Sequence, residues 1–127
     1  MRLAPGLRSY DRRKLEARLD ALWGRIIQSR ANYRCEVCGS QRSLNAAHIM
    51  SRSRKSTRWS VENGVCCCVG HHLAFHRNPL NFYEWVEAHR GVGTVDKLRI
   101  LSQGGKPDLE MIKVQLTAAA REYAVRP

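Results

Sequence analysis

The chain contains no long apolar run. No segment approaches the roughly 18–20 consecutive apolar residues that a membrane-spanning helix requires, and the first six residues lack the continuous apolar stretch of a secretory signal. The sequence therefore predicts no membrane partner and favours a cytoplasmic location. Internal repeats and low-complexity tracts are also absent. A length of 127 residues suffices for one modest core, so residues 1–127 are interpreted as a single domain.

Acidic residues are scarce. Eleven Asp and Glu residues stand against 22 Lys and Arg residues, which gives a formal net charge of +11. Such an excess predicts a polyanionic partner, and nucleic acid is the commonest one. The simpler alternative is that the basic residues only keep the chain soluble.

A full set of disulfide bonds is not expected, because the five cysteines are an odd number and lie among histidines. This pattern favours metal ligation in a reducing compartment over a disulfide framework. Cys35-x-x-Cys38 and Cys68-x-x-His71 share a two-residue gap, which lets four donors surround one tetrahedral ion. We therefore predict a structural zinc site with these four ligands. The alternative is a set of buried free thiols beside a surface histidine.

The second ligand pair, Cys68 and His71, has alternatives beside it in the chain. Cys66, Cys67 and His72 are additional candidate donors next to Cys68 and His71. The equal gap favours Cys68 and His71, and it leaves Cys66 and Cys67 as small buried strand residues.

Apolar residues recur at helical spacing on both sides of the cysteine-rich segment. The chain is accordingly divided into an N-terminal helical region (1–30), a zinc-binding core (31–78) and C-terminal helices (79–127). The predicted elements are a helix at 10–30, a short strand within 44–50, a loop at 51–60, and helices at 79–89, 94–102 and 107–123.

Once the zinc ligands are set aside, His48, Asn63, His72 and His76 remain. His72 and His76 are four residues apart, so on a helix they share one face, which suits two ligands of one ion. Together with the cysteine pairs, this series resembles the HNH endonuclease family, and compact phage-encoded members in particular. The resemblance covers about residues 33–77. It implies an α+β fold: a small ββα-metal (His-Me finger) core stapled by zinc and flanked by helices.

The resemblance also implies a reaction, the metal-dependent hydrolysis of DNA. His48 would be the general base and Asn63 would orient it, while His72 and His76 would hold a catalytic divalent ion such as Mg²⁺, Mn²⁺ or Ni²⁺. Catalysis is thus assigned to His48, Asn63 and His72. The competing interpretations are a core histidine at position 48, a simple Asn-Gly turn at position 63, and two surface histidines on the helix.

One position departs from the family pattern. The residue before the general base is often Asp or His, a further metal ligand, but here it is Ala47. Weak metal binding before DNA arrives is the expected consequence, and a catalytically weak or inactive zinc-stabilised DNA-binding protein is the alternative function. A zinc module that binds RNA or protein is a second alternative.

Between His48 and Asn63, residues 51–60 form a basic segment without acidic residues. Arginine and lysine at this density suit successive phosphate contacts, so Arg52, Arg54, Lys55 and Arg58 are predicted to bind DNA. A merely solvated loop is the alternative. Trp59 either stacks on a base or anchors the segment in the core, and the anchor is favoured. Phage or recombination proteins are further candidate partners, and the sequence leaves the oligomeric state open.

Overall fold

The computed structural model describes residues 9–125, and six α-helices surround a two-stranded antiparallel sheet within that range. The architecture is α+β, as predicted. Residues 1–8 of the N-terminal region and residues 126–127 of the C-terminal region lie outside the described residues. The elements in chain order are α1 (Ser9–Arg30), β1 (Leu44–His48), α2 (Lys55–Arg58), a 3₁₀ turn (Val61–Asn63), β2 (Gly64–Cys68), α3 (Val69–Arg77), α4 (Pro79–Arg90), α5 (Thr94–Leu101) and α6 (Leu109–Glu122).

The long helix α1 covers one face of the sheet. Its buried residues recur every three or four positions, at Leu19, Trp23 and Ile26–Ile27, as expected for an amphipathic helix. They form one hydrophobic cluster with Trp59, with Cys66 of β2 and with two leucines of α6. This cluster fixes α1 against the strands that carry the candidate site.

The other face of the sheet packs against α4 and α5. Successive residues of a strand point to opposite faces, so Val65 and Cys67 enter this second cluster while Cys66 enters the first. Phe82 and Val86 of α4 complete it together with Leu98 of α5. The two faces explain why β2 is apolar along its whole length.

The register of the sheet sets which residues meet at each of its two ends. Leu44 pairs with Cys68, and His48 pairs with Gly64, the residue that follows Asn63. His48 and Asn63 are therefore brought to the same end of the sheet, although fourteen positions separate them in the chain.

Asn63–Gly64 is not a tight turn, so that alternative is wrong. Gly64 has an extended backbone with φ −115° and begins β2. A Cβ at this position would lie 2.3 Å from Ile27 Cδ1 and 2.8 Å from Trp23 Cζ2. Glycine is required because α1 approaches the strand too closely for any side chain.

The C-terminal helices agree with the predicted boundaries to within two residues. Asn78 caps α4, because its side chain accepts a hydrogen bond from the backbone N–H of Asn81, and Pro79 occupies the first turn. Asp108 caps α6 in the same way. Within residues 9–125, no helix is both long and apolar enough to cross a membrane.

The predicted loop at 51–60 is in part wrong, because α2 forms one turn of helix at Lys55–Arg58. This turn is followed by the buried Trp59 and by the 3₁₀ turn at Val61–Asn63. Helix α2 and the 3₁₀ turn fold the basic segment back against α1, where Lys55 and Arg58 form ion pairs with Glu16 and Asp20.

Candidate functional site

The four predicted zinc ligands converge. The donor atoms of Cys35, Cys38, Cys68 and His71 all lie within 4.8 Å of one another. Cys38 Sγ is 3.9 Å from Cys68 Sγ, and Cys68 Sγ is 3.2 Å from His71 Nδ1. Two thiolates at about 2.3 Å from a tetrahedral zinc ion lie roughly 3.8 Å apart, so the cysteine–histidine cluster can hold a metal ion such as zinc.

The cysteines in and near this cluster differ in the pKa of their thiols. Gly39 adopts φ +78° and donates its N–H to Cys35 O at 2.8 Å, which closes the first knuckle. Burial opposes ionisation of Cys35, but backbone hydrogen bonds outweigh it and lower its pKa to about 7. Burial raises the pKa of Cys66 to about 11 and that of Cys67 to about 12. Both residues are buried in β2, and neither belongs to the cluster of four donors.

His48 lies at the end of β1 with its ring held on two sides. Its Nε2 donates to the backbone oxygen of Arg58 at 3.0 Å, because a carbonyl can only accept. The indole of Trp23 stacks on the imidazole with a centroid separation of 4.1 Å and an interplanar angle of 12°. In the neutral ring, Nδ1 then carries the lone pair.

The electrostatics around His48 favour its neutral form. Its pKa lies below the usual value, chiefly because burial penalises the imidazolium. The nearby guanidinium groups of Arg52 and Arg58 act in the same direction, while the hydrogen bond to the Arg58 carbonyl and the charge of Asp20 act against it. A histidine in this environment is able to accept a proton at neutral pH.

Asn63 is wholly buried and holds the chain that follows β1. Its Oδ1 accepts from Met50 N at 2.8 Å, and its Nδ2 donates to Met50 O at 3.0 Å. Its backbone oxygen also accepts from Ile49 N at 2.9 Å. Asn63 thereby fixes the two residues that come directly after His48.

His72 and His76 lie on one face of α3, as the spacing predicted. Their Nε2 atoms are 3.2 Å apart. Two nitrogen ligands at about 2.1 Å from one ion lie roughly 3.0–3.4 Å apart in octahedral or tetrahedral geometry, so this pair fits a shared metal ion. The pKa of His72 is lowered by burial and by the proximity of His76, which keeps its ring available as a ligand.

One cavity of about 620 Å³ brings the three histidines together. His48 lines it from the sheet, and His72 and His76 line it from α3. Its remaining walls come from α1, from the start of α4 and from Ser51 and Arg52 of the basic segment. Asn63 is fully buried and does not line this cavity.

The four predicted DNA-binding cations have different surroundings. Arg54 is exposed. The side chain of Arg52 is 63% exposed and contacts Asp20 at 3.1 Å, whereas that of Arg58 is only 11% exposed and contacts Asp20 at 2.6 Å. Lys55 forms an ion pair of 2.9 Å with the buried Glu16. Trp59 is buried, so the anchor interpretation is confirmed.

Two residues of α1 contribute to the site and were missed by the sequence interpretation. Asp20 accepts hydrogen bonds from Arg58 and Trp59, and Trp23 stacks on His48. Both lie in the predicted helix at 10–30, in which no site residue was predicted. Their partners are more than twenty positions away in the chain, and no local spacing marks such long-range pairs.

Comparison with known proteins gives one positive result. Residues 35–82 match a family model described as HNH endonuclease. No curated protein and no solved structure matches the chain. The matched segment contains the cysteine–histidine cluster and every predicted catalytic residue, and the resemblance drawn from their spacing is confirmed.

Proposed function

We propose, from the HNH endonuclease match of residues 35–82, that this chain is a metal-dependent nuclease that hydrolyses DNA phosphodiester bonds. The observation that carries the proposal is the arrangement of His48. Its Nε2 is committed to a backbone carbonyl, and its ring lines the same cleft as His72 and His76. A proton acceptor facing a pair of metal-binding nitrogens is what metal-assisted phosphodiester hydrolysis needs.

His48 is the proposed general base. With Nε2–H donating to Arg58 O, Nδ1 is the nitrogen that takes a proton from the attacking water. The depressed pKa keeps the ring neutral at neutral pH, and stacking on Trp23 restricts its rotation. Both effects increase the fraction of molecules in which the base is ready to react.

His72 and His76 are the proposed ligands of the catalytic divalent ion, and their 3.2 Å separation fits that task. A bound Mg²⁺, Mn²⁺ or Ni²⁺ would supply Lewis-acid stabilisation of charge on the scissile phosphate and on the departing 3′ oxygen. Imidazole nitrogens suit the transition metals of this group better than magnesium. We therefore expect Mn²⁺ or Ni²⁺ to support the reaction at lower concentration than Mg²⁺.

Asn63 is a proposed positioning residue rather than a proton carrier. Its paired bonds to Met50 hold the backbone immediately after β1. Because the end of β1 carries His48, a rigid segment there fixes where the imidazole enters the cleft. The neutral amide suits this role, since it supplies both the donor and the acceptor that Met50 requires.

DNA is the proposed substrate because of charge and its placement. The chain has a net charge of +11, and the basic segment borders the cleft. Arg54 is the first candidate for a phosphate contact, because it is exposed within the basic segment. Arg52 is the second, because a largely exposed ion pair is weak and can be exchanged for phosphate. Arg58 and Lys55 are held by acidic residues of α1.

The structural role of zinc is part of the same proposal. The cysteine–histidine cluster joins the segment before β1 to the β2–α3 junction. Zinc bound there would fix the start of α3, and with it the orientation of His72 and His76. Because the four donors come from two separate segments, metal binding and folding are expected to be coupled.

The test is a plasmid-nicking assay with Mg²⁺, Mn²⁺, Ni²⁺ or no added divalent ion. His48→Ala is expected to reduce the nicking rate at least about a hundredfold, the scale of general-base catalysis, without loss of bound zinc. His89→Ala is the matched control, because His89 lies on α4 outside the cleft lining and is expected to retain activity. Equal nicking by the parent and His48→Ala would remove the proposed base.

One observation favours a second candidate, a zinc-stabilised DNA-binding protein with weak or no catalysis. Ala47 is buried beside His48 and offers no ligand atom where many family members have one. This candidate predicts salt-dependent DNA binding by the parent without nicking in any of the four metal conditions. Metal-dependent nicking that His48→Ala abolishes would exclude it.

A further inference from the structure

The carboxylate of Asp20 lines the cleft and accepts four hydrogen bonds. Its Oδ1 accepts from Arg58 Nε at 3.0 Å and from Trp59 Nε1 at 2.8 Å. Its Oδ2 accepts from Arg58 Nη2 at 2.6 Å and from Arg52 Nη2 at 3.1 Å. Asp20 belongs to α1, so it lies outside the segment that matches the nuclease family.

Arg58 links Asp20 to His48. Arg58 presents its guanidinium to Asp20 and its backbone oxygen to His48 Nε2. The fork of two hydrogen bonds between a guanidinium and a carboxylate fixes both distance and plane. A shift of Arg58 would therefore move the carbonyl that sets the tautomer of His48.

Helix α1 holds the same stretch of chain at a second point. Trp23, one turn after Asp20, donates its indole N–H to Ser60 O at 2.8 Å while its ring stacks on His48. Residues 58–60 are thus bonded to α1 at both ends, and the imidazole contacts both Arg58 and Trp23. The base is oriented from outside the ββα core.

We infer that Asp20 is a positioning residue for the reaction, acting through Arg58 to keep His48 in the tautomer and orientation that a general base requires. This inference rests on the proposed nuclease function. Asp20 has a second effect as well, because its ion pairs partly neutralise the charges of Arg52 and Arg58, which would otherwise attract phosphate. Loss of its charge should therefore impair the chemical step and, at the same time, leave DNA binding unchanged or stronger.

A purely structural role makes a different prediction. If Asp20 only anchored Trp59 in the core, its loss would loosen the whole site, and bound zinc, DNA affinity and turnover would fall together. The separation of turnover from affinity, and the tautomer of His48 itself, distinguish the two roles.

The experiment compares the full-length, zinc-loaded parent with Asp20→Asn, Asp20→Ala and the control Asp11→Asn, an exposed carboxylate on the same helix. Asp20→Asn keeps an oxygen for Trp59, so it decides the result if Asp20→Ala fails to fold. Long-range ¹H–¹⁵N correlation spectra of ¹⁵N-histidine-labelled protein report the His48 tautomer. Nicking at saturating plasmid and DNA affinity without added divalent ion are measured on the same samples.

In Asp20→Asn we expect a smaller Nε2–H population of His48 and a nicking rate about tenfold lower, with zinc content retained and DNA affinity equal to or above the parent's. Asp11→Asn should match the parent. An unchanged tautomer would overturn the inference, as would a parallel loss of zinc, affinity and turnover. The tautomer is measured without turnover, so an inactive parent would refute the nuclease function and still leave the positioning by Asp20 tested.

Discussion

The side-chain amide of Asn63 forms paired hydrogen bonds with both backbone groups of Met50, at 2.8 Å and 3.0 Å. Asn63 is 0% exposed, so no water can replace these bonds directly. We expect Asn63→Ala to lower the free energy of unfolding by about 2–4 kcal/mol, because it leaves a buried donor and a buried acceptor without partners. Urea denaturation of the zinc-loaded protein measures this change.

Asn45 on β1 is the matched control for that substitution. It is only half-buried, and Asn45→Ala is expected to change the unfolding free energy by about 0.5 kcal/mol or less. An Asn63→Ala protein as stable as Asn45→Ala would contradict the role assigned to the paired bonds. Nicking by Asn63→Ala should also fall, since the backbone next to His48 is no longer fixed.

The zinc assignment predicts a sharp difference between two buried cysteines. Cys35→Ser should abolish stoichiometric zinc binding and destabilise the fold, because the cysteine–histidine cluster loses a ligand. Cys66→Ala should retain the zinc, since burial keeps the Cys66 thiol protonated and outside the cluster. Metal analysis of the purified proteins and their thermal melting measure both effects. Full zinc content in Cys35→Ser would refute the ligand set.

The different environments of the basic residues predict which one contributes most to DNA affinity. Arg54→Ala should reduce the dependence of log affinity on log salt by about one unit, as expected for the loss of one phosphate contact. Arg121→Ala on α6 is the control, because it removes the same charge outside the basic segment that borders the cleft. Fluorescence anisotropy with labelled duplex DNA at several salt concentrations measures the slopes. Equal slopes for the two variants would clear Arg54 of the contact.

The low pKa of His48 predicts an acid-dependent loss of stability. Burial lowers its folded pKa below the usual value of 6.5, so below that pH the unfolded chain binds a proton that the folded chain resists. The stabilising contribution of His48 is therefore complete above about pH 6.5 and is lost as the pH falls toward the lower, folded pKa. His48→Gln cannot titrate and provides the comparison.

Urea denaturation of the parent and of His48→Gln at several pH values measures this effect. The unfolding free energy of the parent minus that of His48→Gln should fall as the pH is lowered from about 7.5 to about 5.5. Both proteins share the same zinc ligands, so acid-induced loss of zinc contributes equally to each. A difference that stays constant, or that grows in acid, would contradict the assigned direction of the pKa shift.

The sequence predicted those features that local spacing encodes. The two-residue gaps located the cysteine–histidine cluster, and helical periodicity located α1 and the C-terminal helices. The four-residue gap predicted that the rings of His72 and His76 would lie on one face. Each of these signals is contained within a few turns of chain, so a single sequence is enough to detect it.

The features that were missed depend on contacts between distant segments. Nothing near Asp20 indicates that it will meet Arg58, 38 positions later in the chain. The basic segment was predicted as an open loop because its composition is polar, whereas Trp59 and α1 draw it into one turn of helix. Asn-Gly usually marks a turn, but tertiary packing against Ile27 determined the conformation at Gly64.

The absence of a side chain at Gly64 also limits how the segment that matches the family model can be transplanted. Ile27 and Trp23 occupy the space beside that glycine, so the first helix covers the end of the sheet that carries His48. A minimal fragment trimmed to residues 35–82 would expose an apolar strand face and would lose the aromatic ring that stacks on His48. Any fusion or chimera that uses this segment must carry the first helix with it.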